Sequence, residues 1–124
     1  MQKIIPNLYD RNCPSRQVID LVGGKWAMLI VRSLQTEAVR TGRLKRLVDG
    51  ISQKMLTQTL RSLESYGIVL RRSYPEVPPR VAYELTALGQ SLAVLLEGME
   101  NWVVTNFDDL LENHGQASAT LETE

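Results

Sequence analysis

The chain has 124 residues, 44% of them hydrophobic and 23% charged, and its formal net charge is zero. This length and composition predict one globular domain and exclude a membrane-spanning helix, which needs roughly 20 consecutive apolar residues. The single cysteine, Cys13, excludes an intrachain disulfide, and without an apolar signal region at its N-terminus the chain is expected to be cytoplasmic.

The first half of the chain is predicted to be mainly helical. The predicted helices cover about 14–22, 25–35, 41–48 and 53–66, with a short extended segment at 38–40. Pro14 suits the first turn of a helix, where no amide hydrogen is needed. Ser52 is placed to cap the fourth helix, and Gly67 is placed to end it.

The second half is predicted to form a β-hairpin and a long helix. The alternation of Val81, Tyr83 and Leu85 indicates a strand and argues against an all-helical bundle. The predicted strands cover 68–74 and 80–86, and the helix covers about 87–111. Residues 113–124 are polar and acidic, and this tail is predicted to be disordered.

The order of these elements predicts the fold class. Two helices joined by a short turn and followed by a β-hairpin describe a winged helix-turn-helix. Residues 1–112 are therefore predicted to form one mainly α domain, which has a small β-hairpin wing and dimerises through its N- and C-terminal helices.

The charges are segregated along the chain although they balance overall. Residues 40–83 carry nine basic and three acidic side chains, whereas residues 84–124 carry no lysine or arginine and eight acidic side chains. Such a division predicts one basic face, as expected of a protein that binds nucleic acid. The alternative is a chance cluster on a solvated surface.

The fourth helix is predicted to be the DNA-recognition helix. Leu56, Leu60 and Leu63 form an apolar stripe, which leaves the opposite face polar. Arginine, lysine, glutamine and threonine are suited to base edges and phosphates in the major groove, although any solvated helix can display them. The predicted contacts of this helix are Ser52, Gln53, Lys54, Thr57, Gln58 and Arg61.

The third helix is predicted to contact the DNA backbone, and the hairpin is predicted either to lie along phosphates or to enter a minor groove. Prolines at the hairpin tip fix the chain there, and strand alternation places Arg71 and Arg72 on opposite faces. The predicted backbone contacts are Arg40, Arg43, Lys45, Arg46, Arg71, Arg72 and Arg80. In the alternative interpretation, the prolines only protect the edge of the hairpin and its arginines are incidental.

The last helix has an apolar surface that is broad for a domain of this size. The predicted interface residues are Leu92, Leu95, Met99, Trp102 and Val103. Together with the N-terminal helix they predict a homodimer; the alternative is packing of this helix on its own core. Two recognition helices about 34 Å apart would match a palindromic operator in double-stranded DNA.

Cys13 is the one candidate for reactive chemistry. It precedes a helix, whose dipole favours a thiolate, and Arg11 and Arg16 are near in sequence. An inert, buried cysteine is the alternative. With one histidine, His114, and no metal-ligand spacing, no catalytic residue, metal site or cofactor is predicted, and the chain is not expected to be an enzyme.

Several motifs occur together and in order. They are the CP start, GGKW, "ISQKMLTQTLRSLESYG" and "YPEVPPRVAYELTALG". Over about residues 13–103 the chain closely resembles the HxlR-type regulators, winged-helix relatives of the MarR group. The chain departs from the usual pattern at Thr41 and Arg43, where family members commonly have an aromatic residue and a glutamate.

The resemblance implies a dimeric transcription regulator whose fourth helix and wing meet DNA. It also implies that Cys13 corresponds to a cysteine that often senses oxidants, quinones or other electrophiles. We therefore predict a homodimeric DNA-binding repressor with Cys13 as its sensor. The alternatives are a winged-helix module for protein–protein assembly and a regulator of the same type without redox sensing.

Overall fold

The computed structural model describes residues 3–123, with side chains as far as residue 117. It contains two compact units, the first ending at Ala93 and the second beginning at Val94. The elements are α1 Pro14–Val22, α2 Lys25–Ser33, β1 Val39–Arg40, α3 Thr41–Leu47, α4 Gln53–Ser65, β2 Val69–Tyr74, β3 Arg80–Leu85, α5 Ala87–Thr105 and α6 Phe107–Thr123. Among the described residues, no helix combines the length and apolar character that crossing a membrane requires.

Local signals fix the ends of the helices as predicted. Pro14 occupies the first turn of α1. The hydroxyl oxygen of Ser52 accepts a hydrogen bond from the amide of Met55 at 3.0 Å and caps α4. Gly67 follows α4 with a φ of 73°, a left-handed conformation that glycine adopts without strain.

The hairpin is part of a three-stranded antiparallel sheet with the order β1-β3-β2. Arg71 pairs with Tyr83, and Arg72 pairs with Ala82, so the two arginines lie on opposite faces as predicted. Arg40 of β1 pairs with Ala82 from the other side. Arg40, Ala82 and Arg72 therefore form one row across the sheet, on the same face.

The core of the first unit is built around α2 and α4. Ile30 and Val31 of α2 and Leu56 and Leu63 of α4 are fully buried, and Leu60 is 1% exposed. The helix pair α3–α4 is followed directly by the hairpin. This arrangement confirms the predicted winged helix-turn-helix.

The junction between β3 and α5 is held by backbone contacts. The amide of Thr86 donates to the carbonyl of Ile68 at 3.1 Å. The hydroxyl of Thr86 donates to the carbonyl of Gly67 at 2.5 Å and accepts from the amide of Gly89 at 3.1 Å. The backbone of Gly89 lies so close to the Ile68 carbonyl that a Cβ atom there would overlap it.

The C-terminal region differs from the prediction of one helix followed by a disordered tail. The helix ends at Thr105, and α6 continues to Thr123, so this part of the expected tail is helical. At the boundary, both the side chain and the amide of Asn106 donate to the carbonyl of Trp102, at 2.8 and 3.1 Å. Asp108 and Asp109 then lie in the first turn of α6, where negative charge stabilises a helix. Glu124, also assigned to the tail, lies outside the described residues.

Candidate nucleic-acid interface

The face of α4 opposite its buried leucines is polar, as predicted. Lys54, Gln58 and Arg61 are exposed on it. The side chain of Gln53 donates to the hydroxyl of Thr57 at 3.2 Å, which holds both residues on the helix surface. Ser52 has a structural role as the cap of α4, and a contact of Ser52 with DNA stays a prediction.

Basic side chains also surround the start of α3. Arg40, Lys45 and Arg46 are exposed. Arg43 forms an ion pair with Glu37, with Nη1 and Oε1 separated by 3.1 Å. Arg40, Arg43 and Arg46 line a cavity of about 510 Å³.

The two neighbouring arginines of β2 have different surroundings. Arg71 is exposed, and its side chain forms no hydrogen bond or ion pair with the described residues. Arg72 forms an ion pair with Glu84, in which Nη2 and Oε1 are 2.6 Å apart, and this contact raises the pKa of Arg72 above its ordinary value. Arg71 is therefore available to a partner without breaking an internal contact.

Arg80 belongs to a cluster at the base of the wing tip. Its Nη2 lies 3.2 Å from Oε1 of Glu76. Its guanidinium lies 4.0 Å from the centre of the Tyr74 ring, within the range of a cation–π interaction. Arg80 therefore helps to shape the tip, a role that its sequence position did not indicate.

The structure brings the start of α3 and the wing together. A cavity of about 520 Å³ separates them, and its lining includes Arg40 on one side and Arg80 on the other. In contrast, no described hydrogen bond or ion pair connects the polar face of α4 with these arginines. Two of the three predicted groups thus meet at one cavity, whereas α4 presents its face independently.

The sequence pattern indicated the arginines but not the carboxylates that lie beside them in the structure. Glu37, Glu76 and Glu84 each pair with one of the predicted DNA contacts. The four-residue spacing of Glu76 and Arg80 was visible in the sequence. The pairing of Glu84 with Arg72 was not, since it depends on the register of the hairpin.

Cys13 precedes α1 and is partly exposed. Its Sγ accepts hydrogen bonds from the hydroxyl of Ser15 at 3.1 Å and from the amide of Asn7 at 3.5 Å. These bonds, that of Ser15 above all, lower the pKa of the Cys13 thiol, while partial burial and Asp10 oppose the shift.

The sequence suggested that Arg11 and Arg16 would lower the pKa of the Cys13 thiol, but the structure attributes this shift to the hydrogen bonds of Ser15 and Asn7. Arg16 instead donates to the carbonyl of Leu8 at 3.3 Å and lies 3.8 Å from Asp20. Among the described residues, no group of three or more histidine, cysteine, aspartate or glutamate side chains is placed to hold a metal ion.

The predicted dimer residues are largely exposed. Leu95 is 72% exposed and Trp102 is 58% exposed, and Met99 and Val103 are both above 40%. Leu92 lies in the first unit and is half-buried. The second unit therefore presents apolar side chains that its own residues leave uncovered.

Comparison with known proteins places these features in a family. A family model described as HxlR-like helix-turn-helix matches residues 21–110. The uncharacterized HTH-type transcriptional regulator YtfH of Escherichia coli K12 is 36% identical over 113 residues, covering 91% of this chain and 90% of its own.

Solved structures give the same result. The transcriptional regulator ytfH from Salmonella typhimurium is similar with a TM-score of 0.84 and 38% identity, covering 88% of this chain and 97% of its own. The redox regulator HypR in its reduced form has a TM-score of 0.73 and 36% identity, with 80% and 98% covered.

Proposed function

Because the chain belongs to the HxlR-like helix-turn-helix family of transcriptional regulators, we propose that it is a homodimeric repressor that binds a palindromic operator and responds to oxidants, quinones or other electrophiles through Cys13. The family assignment confirms the resemblance seen in the sequence. It also identifies the chain as a DNA-binding transcription regulator and not an enzyme.

The convergence of basic side chains at the wing and at α3 carries the proposal for the DNA interface. Arg40 and Arg80 line one cavity, and Arg40, Arg43 and Arg46 line another. Arginines arranged in this way bind phosphates and position a protein on the duplex. The separate polar face of α4 then supplies the contacts to base edges.

Titration of fluorescent DNA from upstream of the protein's own gene tests this proposal. Anisotropy is measured at several salt concentrations, with a random-sequence duplex as the control. If each copy neutralises about six phosphates, each copy contributes about the fifth power to the salt dependence, and the affinity of the dimer falls with about the eleventh power of the salt concentration. Absence of preference over random DNA would favour instead an assembly module with an acidic protein partner.

The two classes of contact have different signatures. Arg80→Ala is expected to weaken binding to all sequences, because a phosphate contact carries no base information. Gln58→Ala and Lys54→Ala are expected to change the preference among operator variants, because they remove contacts to base edges. Equal losses on operator and random DNA for all three variants would contradict this division.

The exposed apolar residues of the second unit support the proposed dimer. Leu95, Met99 and Trp102 expose large hydrophobic side chains that a second copy could bury. Two copies related by a twofold axis would contact operator half-sites about one helical turn apart. Shifting one half-site by about five base pairs turns it to the opposite side of the duplex and should abolish tight binding.

The geometry around Cys13 supports the proposed redox response. Hydrogen bonds from Ser15 and Asn7 stabilise a thiolate, which is the reactive form of cysteine. HypR, a similar protein, is named a redox regulator. Diamide accepts two electrons and two protons from two thiols and leaves a disulfide, either between two copies of Cys13 or between Cys13 and a small thiol.

Diamide is therefore expected to release the protein from its operator, and Cys13→Ser is expected to bind normally but to resist release. A Cys13→Ser variant that diamide still releases would exclude this thiol as the sensor. Run-off transcription from the same promoter tests repression, since addition of the reduced protein should lower the amount of transcript. A rise in the amount of transcript would contradict repression and indicate that the protein is an activator.

A further inference from the structure

The cavity between the wing tip and the start of α3 has the features of an anion site. Its lining includes two arginines from different elements, Arg40 at the end of β1 and Arg80 at the start of β3. Glu76 at the wing tip lines the same cavity. The cavity of about 520 Å³ is ample for one phosphate group.

Arg80 is held in place but retains an unused donor. Its ion pair with Glu76 and its stacking on Tyr74 fix the orientation of the guanidinium. Its Nε is buried and has no hydrogen-bond partner among the described residues. Because Nε has no accessible surface, an anion in the cavity would reach the guanidinium through its outer nitrogens, of which Nη2 already pairs with Glu76.

Glu76 presents to Arg80 the chemistry of a backbone phosphate. Carboxylate and phosphodiester groups each offer two oxygens in a geometry that guanidinium binds well. One of the carboxylate oxygens of Glu76 already forms an ion pair with Nη2 of Arg80. On the other side of the cavity, the side chain of Arg40 forms no hydrogen bond or ion pair with the described residues.

We propose that this cavity holds one phosphodiester of the DNA backbone and that Glu76 is a built-in competitor, which orients Arg80 in the free protein and lowers the affinity for DNA. The proposal rests on the proposed function, because it assumes that the wing meets DNA. Glu76 then sets the affinity of the wing for the DNA backbone.

The competition predicts an unusual gain of affinity. With Glu76 present, two arginines face one carboxylate and the incoming phosphate. In the variant Glu76→Gln, both positive charges act on the phosphate alone. Because both copies of the dimer carry the change, the variant should bind more tightly, with a salt dependence steeper by about 1.8 in log–log slope, and its advantage should grow about 12-fold between 200 and 50 mM salt.

Two control variants separate this site from a general change in charge. Glu112→Gln makes the same charge change at an exposed position of α6. Glu84→Gln removes another carboxylate of the wing that pairs with an arginine but does not line the cavity. Glu112→Gln should bind like the wild type, and Glu84→Gln should gain less than Glu76→Gln.

The deciding experiment combines Glu76→Gln with operator duplexes in which one pair of phosphates at a time, at equivalent positions of the two half-sites, is replaced by neutral methylphosphonates. If one phosphate of each half-site occupies the cavity, the gain from Glu76→Gln should disappear when that pair is neutral and persist for the other pairs. The gain should also appear on random-sequence DNA, because the contact is to the backbone. Thermal unfolding of Glu76→Gln checks that the hairpin is retained.

The outcomes distinguish the two proposals. A wild-type protein that binds no duplex overturns both. A wild-type protein that binds its operator overturns only the phosphate site if Glu76→Gln gains no affinity, if Glu112→Gln gains as much, or if the gain survives on every methylphosphonate duplex.

Discussion

Gly89, in the first turn of α5, gives a test in which the usual effect of a substitution is reversed. Replacing glycine by alanine inside a helix ordinarily stabilises a protein by up to about 1 kcal/mol. At Gly89 the added Cβ would overlap the backbone carbonyl of Ile68 and lie 3.1 Å from Cδ2 of Leu85. The backbone would have to move by about 1 Å to restore normal contacts.

The cost follows from what this movement breaks. Overpacking of this kind costs about 1–3 kcal/mol. The hydrogen bonds of Thr86 with Gly67 and Ile68 would weaken as well, at about 1 kcal/mol each. After the helical gain is subtracted, Gly89→Ala should destabilise the protein by about 3 kcal/mol.

Gly98 lies in the same helix and is a matched control, since a Cβ there meets no atom within 4 Å. Gly98→Ala should therefore leave stability unchanged or raise it by up to about 1 kcal/mol. Urea unfolding at one protein concentration measures both changes as shifts of the midpoint. A Gly89→Ala variant as stable as the wild type would refute the close approach at the β3–α5 junction.

Substitutions at four further positions test individual contacts. Ser52→Ala should lower the free energy of unfolding by about 1 kcal/mol, because α4 loses its cap, whereas Ser52→Asp should keep most of it. Ser15→Ala should raise the pKa of the Cys13 thiol, seen as a higher pH midpoint for alkylation by iodoacetamide; an unchanged midpoint would show that this hydroxyl does not stabilise the thiolate. Arg71→Ala removes one contact from each copy of the dimer, so it should weaken DNA binding about 60-fold at 100 mM salt and reduce the log–log salt slope by about 1.8; an unaltered slope would argue against a phosphate contact there. Trp102→Glu should convert a dimer into a monomer in light scattering, because it places a charge among exposed apolar side chains, and a variant that stays dimeric would move the interface elsewhere.

The features that sequence analysis predicted well are those set by neighbours along the chain. Pro14 and Gly67 determine where helices begin and end through their own backbone preferences. The leucine stripe of α4 follows from helical periodicity alone. The same locality explains why the positions of Arg71 and Arg72 on opposite faces could be predicted before the hairpin register was known.

The features that could not be predicted from the sequence depend on distant partners or on local details that periodicity does not show. The pairing of Arg40 with Ala82 involves two strands separated by α3 and α4, and β1 is too short to show a pattern of its own. The ion pair of Arg72 and Glu84 requires the register of the hairpin. The separation of α5 from α6 at Asn106 leaves the backbone hydrogen bonds of Asn106 to Trp102 and of Leu110 to Asn106 in place, so helical periodicity does not reveal it.

The two faces of α4 are independent of one another, and this affects how such a protein could acquire new targets. The inward leucines hold the helix in place, whereas Lys54, Gln58 and Arg61 contribute nothing to the core. Substitutions at these exposed positions should therefore change stability by no more than about 0.5 kcal/mol. A duplicated copy could exchange them, one at a time, and come to control a different set of genes while every intermediate remains folded.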